Sequence, residues 1–320
     1  MDGTSTSGKG GESVAEKMKS LLRLLRPKQW TKNLIAFAPI LFAMKIHEMP
    51  LLLKVVVCVI AFCLASSAIY VLNDVLDRQS DRAHPVKCHR PIASGKISVP
   101  LALWLSGLLS VLALALGFLV RPTLSLVILL YLVLMVCYGM LLKHYVLLDV
   151  FAIAAGFVLR AIGGAVAAFV PVSGWFLLCT SFGALFLALE KRRQELNLLK
   201  QDAESHRRTL TSYSAELLDR MESVIVPSLL TCYAFYSFQS WHGQAMLLTV
   251  PFVVYGIMRY QVLSVKYALT GSPEEVLLKD RPIQIAILLW LLTSWAVVYD
   301  LIPAAAKFII KNMDSYTIFR

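Results

Sequence analysis

Charge is scarce in this chain. Asp, Glu, Lys and Arg together supply 16% of its 320 residues, against 58% hydrophobic residues. That balance excludes one soluble core, because the apolar residues gather into segments long enough to cross a bilayer. Stretches such as Leu101 to Leu119 and Leu124 to Leu142 lack the polar face that a soluble helix needs. Metal-binding cysteine patterns are absent too. The six cysteines form no CxxC and no Cys/His ligand spacing. Cys58, Cys63, Cys137, Cys179 and Cys232 fall in apolar stretches and read as packing residues, while Cys88 lies in a polar loop. His84, His89, His144 and His206 are loop residues without ligand spacing, so no catalytic histidine is expected. Acidic residues are outnumbered 20 to 31 by basic ones, a net charge of +11. The basic residues lie in loops between apolar segments with no soluble domain to carry them, which excludes nucleic acid as the partner. The opening residues 1–12 have no apolar core and read as a disordered tail, neither signal peptide nor folded element.

What the chain does have is an all-α pattern: a polytopic membrane bundle of about nine transmembrane helices. Spans are expected at Asn33 to Ile46, Val55 to Leu76, Leu101 to Leu119, Leu124 to Leu142, Leu148 to Val170, Trp175 to Leu189, Val224 to Ser240, Ala245 to Val265 and Ile283 to Leu301. Residues 13–32 precede them. There Leu21, Leu22, Leu24 and Leu25 alternate with Lys17, Lys19, Arg23, Arg26 and Lys28, the composition of an amphipathic helix in the headgroup layer. The resulting organisation is tail 1–12, interfacial segment 13–32, transmembrane domain 33–301 and C-terminal tail 302–320.

Lys and Arg near span ends stay in the cytoplasm. Loops after even-numbered spans hold Arg78, Arg82, Lys87, Arg90 and Lys96, then Lys143, then Lys191, Arg192, Arg193, Lys200, Arg207, Arg208 and Arg220, then Lys279 and Arg281. Opposite loops hold only Lys45, Lys54 and Arg121. The acids Asp74, Asp77, Asp81, Asp149, Glu190 and Glu195 join the first group, several at or inside span ends, where carboxylates need partners. These placements predict an integral membrane protein with a central cavity facing the cytoplasm.

In Asn73-Asp74-Val75-Leu76-Asp77-Arg78-Gln79-Ser80-Asp81 the carboxylates fall at i, i+3 and i+7, so a continuing helix stacks them on one face. Their mutual repulsion is relieved by a divalent cation. Mg²⁺ favours one or two carboxylates plus water and phosphate oxygens, which makes a diphosphate the natural ligand. The other reading is a solvated helix end whose acids pair with Arg78, Arg82 and nearby lysines.

The stretch runs on through His84, Pro85 and Lys87 to Arg90-Pro91-Ile92-Ala93-Ser94-Gly95. Together the two parts resemble the UbiA-type intramembrane prenyltransferase superfamily, whose first motif reads NDxxDxxxD and is followed by an RP..SG loop. The likeness extends through Tyr138, Lys143 and Asp149 over nearly the whole chain. Prenyl-transferring members carry a second aspartate motif after the sixth span; here that stretch reads Leu189-Glu190-Lys191-Arg192-Arg193-Gln194-Glu195-Leu196. The sequence is in this respect similar to the decaprenyl-phosphate phosphoribosyltransferase branch. The stretches that carry this are Arg26 to Asn33, Asp149 with Arg160-Ala161-Ile162, Lys191-Arg192 with Glu195-Leu196, Arg259-Tyr260, Gly271-Ser272-Pro273-Glu274-Glu275 and Asp280-Arg281.

The resemblance implies Mg²⁺ as cofactor, phosphoribosyl diphosphate as donor and a polyprenyl phosphate as acceptor, with oligomeric state open. It implies Asn73, Asp74, Asp77 and Asp81 as catalytic residues, the three aspartates on the metal. Arg82, Lys87, Arg90, Lys191 and Arg192 are expected on donor phosphates, Lys28 and Lys32 on the lipid phosphate, and Tyr138, Lys143 and Asp149 on substrate. Arg160, eleven residues after Asp149, projects from the same face of its span and either pairs with an acid or contacts the donor. Gly156, Gly163 and Gly164 permit close helix packing. Prenyl transfer from a polyprenyl diphosphate is the competing reading; a transporter or an inactive scaffold fits less well.

Overall fold

A computed structural model of the chain describes residues 14–84, 86–199, 213–239, 243–266, 276, 279–299 and 301. The expected tails at 1–12 and 302–320, together with Pro85, Lys200, His206, Arg207, Arg208 and the stretch Gly271 to Glu275, lie outside these residues.

The described residues are helical throughout, without strands. In chain order they form α1 (Val14–Leu25), a 3₁₀ segment (Pro27–Phe37), α2 (Ala38–Phe42), α3 (Met49–Leu76), α4 (Arg78–Ala83), α5 (Val99–Val120), α6 (Pro122–Met140), α7 (Leu148–Ala168), α8 (Gly174–Leu199), α9 (Ala215–Phe238), α10 (Val250–Lys266) and α11 (Arg281–Val298). Proline marks the starts: α3, α5, α6 and α11 each carry one in the first turn, where its missing N–H costs nothing. Asp280 caps α11 by accepting the Ile283 N–H at 3.0 Å, and the Ser214 hydroxyl accepts the Leu217 N–H at the start of α9. The Arg259 guanidinium holds the Asp280 carboxyl below the usual carboxylate range.

Seven helices among the described residues are long and apolar enough to cross a membrane: α3, α5, α6, α7, α8, α10 and α11. Two expected spans do not meet that measure. The stretch Asn33 to Ile46 is the end of a 3₁₀ segment followed by the five-residue α2. It is held by tertiary contacts: a Cβ on Gly164 of α7 would lie 1.9 Å from the Ala36 carbonyl oxygen, so only glycine admits this approach. The stretch Val224 to Ser240 lies in α9, which is long enough but begins with Glu216, Asp219, Arg220 and Glu222 and contains Pro227.

α3 packs against α5, α6 and α7, while α8 packs on α7 and α9. The main core, around Phe62, Leu124, Ile128 and Tyr131, joins α3, α6 and α7. Large side chains such as Trp104, Phe118, Leu119 and Met258 remain exposed on the outside, as a lipid-facing surface requires. α3 has 28 residues, about 42 Å of helix, longer than the roughly 30 Å hydrocarbon core. A helix of that length overhangs the hydrocarbon core at one end or both.

Candidate functional site

The aspartate motif lies where α3 gives way to α4. The helix does not continue unbroken: α3 ends at Leu76, Asp77 caps it, and α4 restarts at Arg78. Seven residues apart, Asp74 and Asp81 stay on one side of this junction and are each 3% exposed. They share one guanidinium, Arg90 Nη1 standing 3.1 Å from Asp74 Oδ1 and 2.7 Å from Asp81 Oδ2. Asp74 also pairs with Arg26, whose guanidinium lies 5.1 Å from the Tyr70 ring centre. Asp77 turns elsewhere and pairs with Lys143 at 2.6 Å. The structure thus brings two of the three carboxylates onto a common partner and gives the third a different one. Among the described residues no three His, Cys, Asp or Glu side chains form a cage for a metal ion.

The Arg90-to-Gly95 loop is fixed from both sides. Ile92 and Ile97 are buried with Leu24 of α1 and Val71 of α3, and Arg82 Nε donates to the Ala93 carbonyl at 3.0 Å. Gly95 supplies the left-handed turn, with φ of 80°. Lys87 is exposed. Asn73 packs so closely on α6 that a Cβ on Gly139 would meet its Oδ1 at 2.2 Å, and this oxygen has no hydrogen-bond partner among the described residues.

A second group of polar residues gathers at the start of α7. Asp149, 1% exposed, accepts from the Tyr213 hydroxyl at 2.8 Å and lies 3.1 Å from Arg192 Nε, without the alignment of a hydrogen bond. Arg192 also pairs with Glu195, three residues on. Burial pushes the Tyr213 hydroxyl up to about 12, so it keeps its proton at neutral pH. It donates that proton to Asp149 and accepts the Leu147 N–H at 3.1 Å. Lys191 is exposed beside buried Arg192, and Tyr138 is half-buried. Arg193, not singled out by the sequence, points away to Glu222 at 2.9 Å and Asp219 at 2.8 Å.

Arg160 keeps different company. It is 5% exposed and donates to Asn33 Oδ1 at 2.7 Å, Tyr131 Oη at 2.8 Å and the Gly156 carbonyl at 2.9 Å. No carboxylate pairs with it among the described residues, and it lies about 16 Å along α7 from Asp149. Its visible work is to hold the 3₁₀ segment that carries Lys32, half-buried, and Lys28, exposed.

Two residues escaped the sequence reading of the site. Arg26 was legible as part of the basic interfacial stretch and of the Arg26 to Asn33 likeness, without a role at the aspartates; its left-handed backbone, φ 51°, turns the chain from α1 into the 3₁₀ segment beside Asp74. Tyr213 carried no signal, because its partner Asp149 is 64 residues away in sequence.

An apolar helical bundle with paired acids and bases concentrated at one end defines an integral membrane protein with a polar site there. The model of the UbiA prenyltransferase family matches residues 34–271, and the chain belongs to that family. It is 36% identical over 301 residues to a decaprenyl-phosphate phosphoribosyltransferase of Mycolicibacterium smegmatis, covering 88% of this chain and 93% of the relative. A protein of the same name from Corynebacterium glutamicum is 34% identical over 292 residues, 87% of this chain and 86% of that one. Among solved structures, a UbiA homolog from Archaeoglobus fulgidus bound to DMAPP and Mg²⁺ shares the fold, with a TM-score of 0.65 at 19% identity over 88% of this chain and 99% of that one.

Proposed function

We propose that this protein transfers a 5-phosphoribosyl group from phosphoribosyl diphosphate to a polyprenyl phosphate, releasing diphosphate. The observation that carries the reading is the likeness, over most of both chains, to relatives named for that reaction. The geometry agrees. Where prenyl-transferring members place a second aspartate motif, this chain has Lys191 and Arg192, and Arg192 is buried against Asp149. A cationic wall suits substrates that bring several phosphates.

The carboxylates suit Mg²⁺ on their chemistry: two buried, hard oxygen donors already share one positive group, and Asp77 follows at the same helix junction, paired with Lys143. Asp74 and Asp81, with Asp77, would hold the ion, which when bound neutralises the diphosphate as it leaves. Arg26, Arg90 and Lys143 then contact phosphate oxygens in place of carboxylates, and Arg82 and Lys87 flank the same loop. Asn73, with its free acceptor at the end of α3, would orient the donor. Asp149, fixed by Tyr213, orients Arg192 and offers its carboxylate to a ribose hydroxyl, with Tyr138 nearby on α6. Lys28 and Lys32 receive the lipid phosphate from the headgroup layer. That phosphate is already ionised near neutral pH, so the protein supplies position and charge and needs no general base. Arg160 positions this segment through Asn33. The excess of Lys and Arg at this end supports a cytoplasmic orientation within a nine-helix arrangement, residues 33–301 forming the catalytic domain.

The test supplies labelled phosphoribosyl diphosphate, a polyprenyl phosphate and Mg²⁺ to the purified protein. A lipid-linked phosphoribosyl product is expected. Turnover of a polyprenyl diphosphate with an aromatic acceptor, and none of that product, overturns the proposal.

A further inference from the structure

At the opposite end of the bundle, some 30 Å along α7 from Asp149, lies a second polar group that the reaction does not use. Lys54 Nζ stands 4.4 Å from the Phe169 ring centre and the Arg121 guanidinium 4.8 Å from the same centre. Phe169 holds the left-handed backbone, φ 54°, that turns the chain out of α7. This conformation is costly for a bulky residue and holds only where its surroundings enforce it. The next residue, Val170, lines a cavity of about 580 Å³ together with Lys45. Lys54 and Arg121 thus share one ring at this turn, Lys45 lies on the wall of the cavity that Val170 also lines, and none of the three is paired with a carboxylate among the described residues.

The cavity beside them is apolar and aromatic, walled by Phe42, Trp175, Phe176 and Tyr236. A smaller cavity of about 230 Å³ adjoins it at Phe42 and Val298 and is lined by Ser294. Ser294 is 6% exposed, and its hydroxyl has no hydrogen-bond partner among the described residues. It lies one helical turn deeper in α11 than Val298.

We infer that this end of the bundle is a binding site for one anionic glycerophospholipid of the leaflet opposite the aspartates. Its phosphate is held by Lys45, Lys54 and Arg121. An ester carbonyl, which in a bilayer lies just below the phosphate, accepts from the Ser294 hydroxyl. One acyl chain fills the aromatic cavity. Cations without carboxylate partners beside an apolar recess, and a buried idle donor in the adjoining cavity, supply the three kinds of partner such a lipid needs, for its anion, its ester and its hydrocarbon. A zwitterionic headgroup carries no net charge to satisfy them.

The test uses the full chain in detergent, with brominated phosphatidylglycerol quenching tryptophan fluorescence, brominated phosphatidylcholine as the neutral arm and glycerol 3-phosphate as the chainless arm. Strong quenching is expected with phosphatidylglycerol alone, with no competition from millimolar glycerol 3-phosphate. The variant Lys45→Gln/Lys54→Gln/Arg121→Gln is expected to bind about a hundredfold more weakly, roughly fivefold per cation removed. Ser294→Ala weakens it about fivefold, and Lys54→Arg keeps it. Transferase turnover stays within twofold of the parent in all of them. Equal quenching by the two lipids, undiminished binding by the triple variant, or full displacement by glycerol 3-phosphate overturns the inference. If the triple variant does not fold, salt decides: the preference for phosphatidylglycerol collapses at about 0.5 M salt if the cations carry it and persists if they do not.

Discussion

Replacing Arg90 by methionine tests whether Asp74 and Asp81 form one electrostatic unit. In the parent, Arg90 lies between them at 3.1 and 2.7 Å. After the change Asp74 keeps Arg26, but Asp81 has no partner left among the described residues and is only 3% exposed. Breaking a buried ion pair from one side costs about 3–5 kcal/mol. Arg90 itself is 29% exposed, which places the cost near about 3 kcal/mol. With an unfolding entropy of about 2.1 cal/mol/K per residue, that corresponds to a fall in Tm of roughly 4 °C. The second half of the prediction has the opposite sign. Arg90 competes for the carboxylates that would hold Mg²⁺, so the variant should bind the ion about tenfold more tightly and regain most of the lost stability when it does. Turnover should still fall at least about a hundredfold, because the diphosphate loses a fixed cation. Thermal scans with and without Mg²⁺ read the first two effects, and the labelled-donor assay reads the third. An unchanged Tm without the ion, together with the parent's Mg²⁺ increment, would refute the linked-carboxylate reasoning.

Other perturbations separate local roles. Tyr213→Phe removes the donor to Asp149 and the acceptor of the Leu147 N–H; we expect a loss of about 1–2 kcal/mol and a raised donor KM with little change in kcat, measured by steady-state kinetics. Gly164→Ala drives a Cβ against the Ala36 carbonyl and should cost about 3 kcal/mol. Gly107→Ala, with open space at its Cβ, should leave thermal stability unchanged. Chelation should abolish turnover but lower Tm by no more than about 2 °C, since Asp74, Asp77 and Asp81 all keep basic partners. Mg²⁺ should restore activity and Ca²⁺, with its longer bonds, should not.

What could be read from the sequence was what depends on local spacing. Apolar length gave the long helices, and the spacing of Asp74 and Asp81 put them on one side of the α3–α4 junction. Asp77 pairs with Lys143, 66 residues on, a partner that spacing along the motif does not reveal. The stretch Asn33 to Ile46 read as a span because it is apolar. Its 3₁₀ form depends on Gly164 and on the Asn33 to Arg160 hydrogen bond, 127 residues apart, and no window along the chain sees either. The same holds for Arg26, whose charge was legible and whose partner was not.

Each aspartate at this end has a basic partner: Asp74 with Arg26, Asp74 and Asp81 with Arg90, Asp77 with Lys143, Asp149 with Arg192. In a medium of low dielectric constant, neither a bare carboxylate nor a bare guanidinium is tolerable. The basic side chains can therefore leave their carboxylates only if positive charge replaces them, and they can settle only where negative charge awaits them. A dication and a phosphorylated donor arriving together meet both conditions, whereas either alone meets one. On the proposed function, the pairing would couple metal and donor binding: each would lower the cost of rearrangement for the other, and the coupling would be reciprocal. It resides in Arg26, Arg90 and Lys143, which change partners rather than appear or disappear.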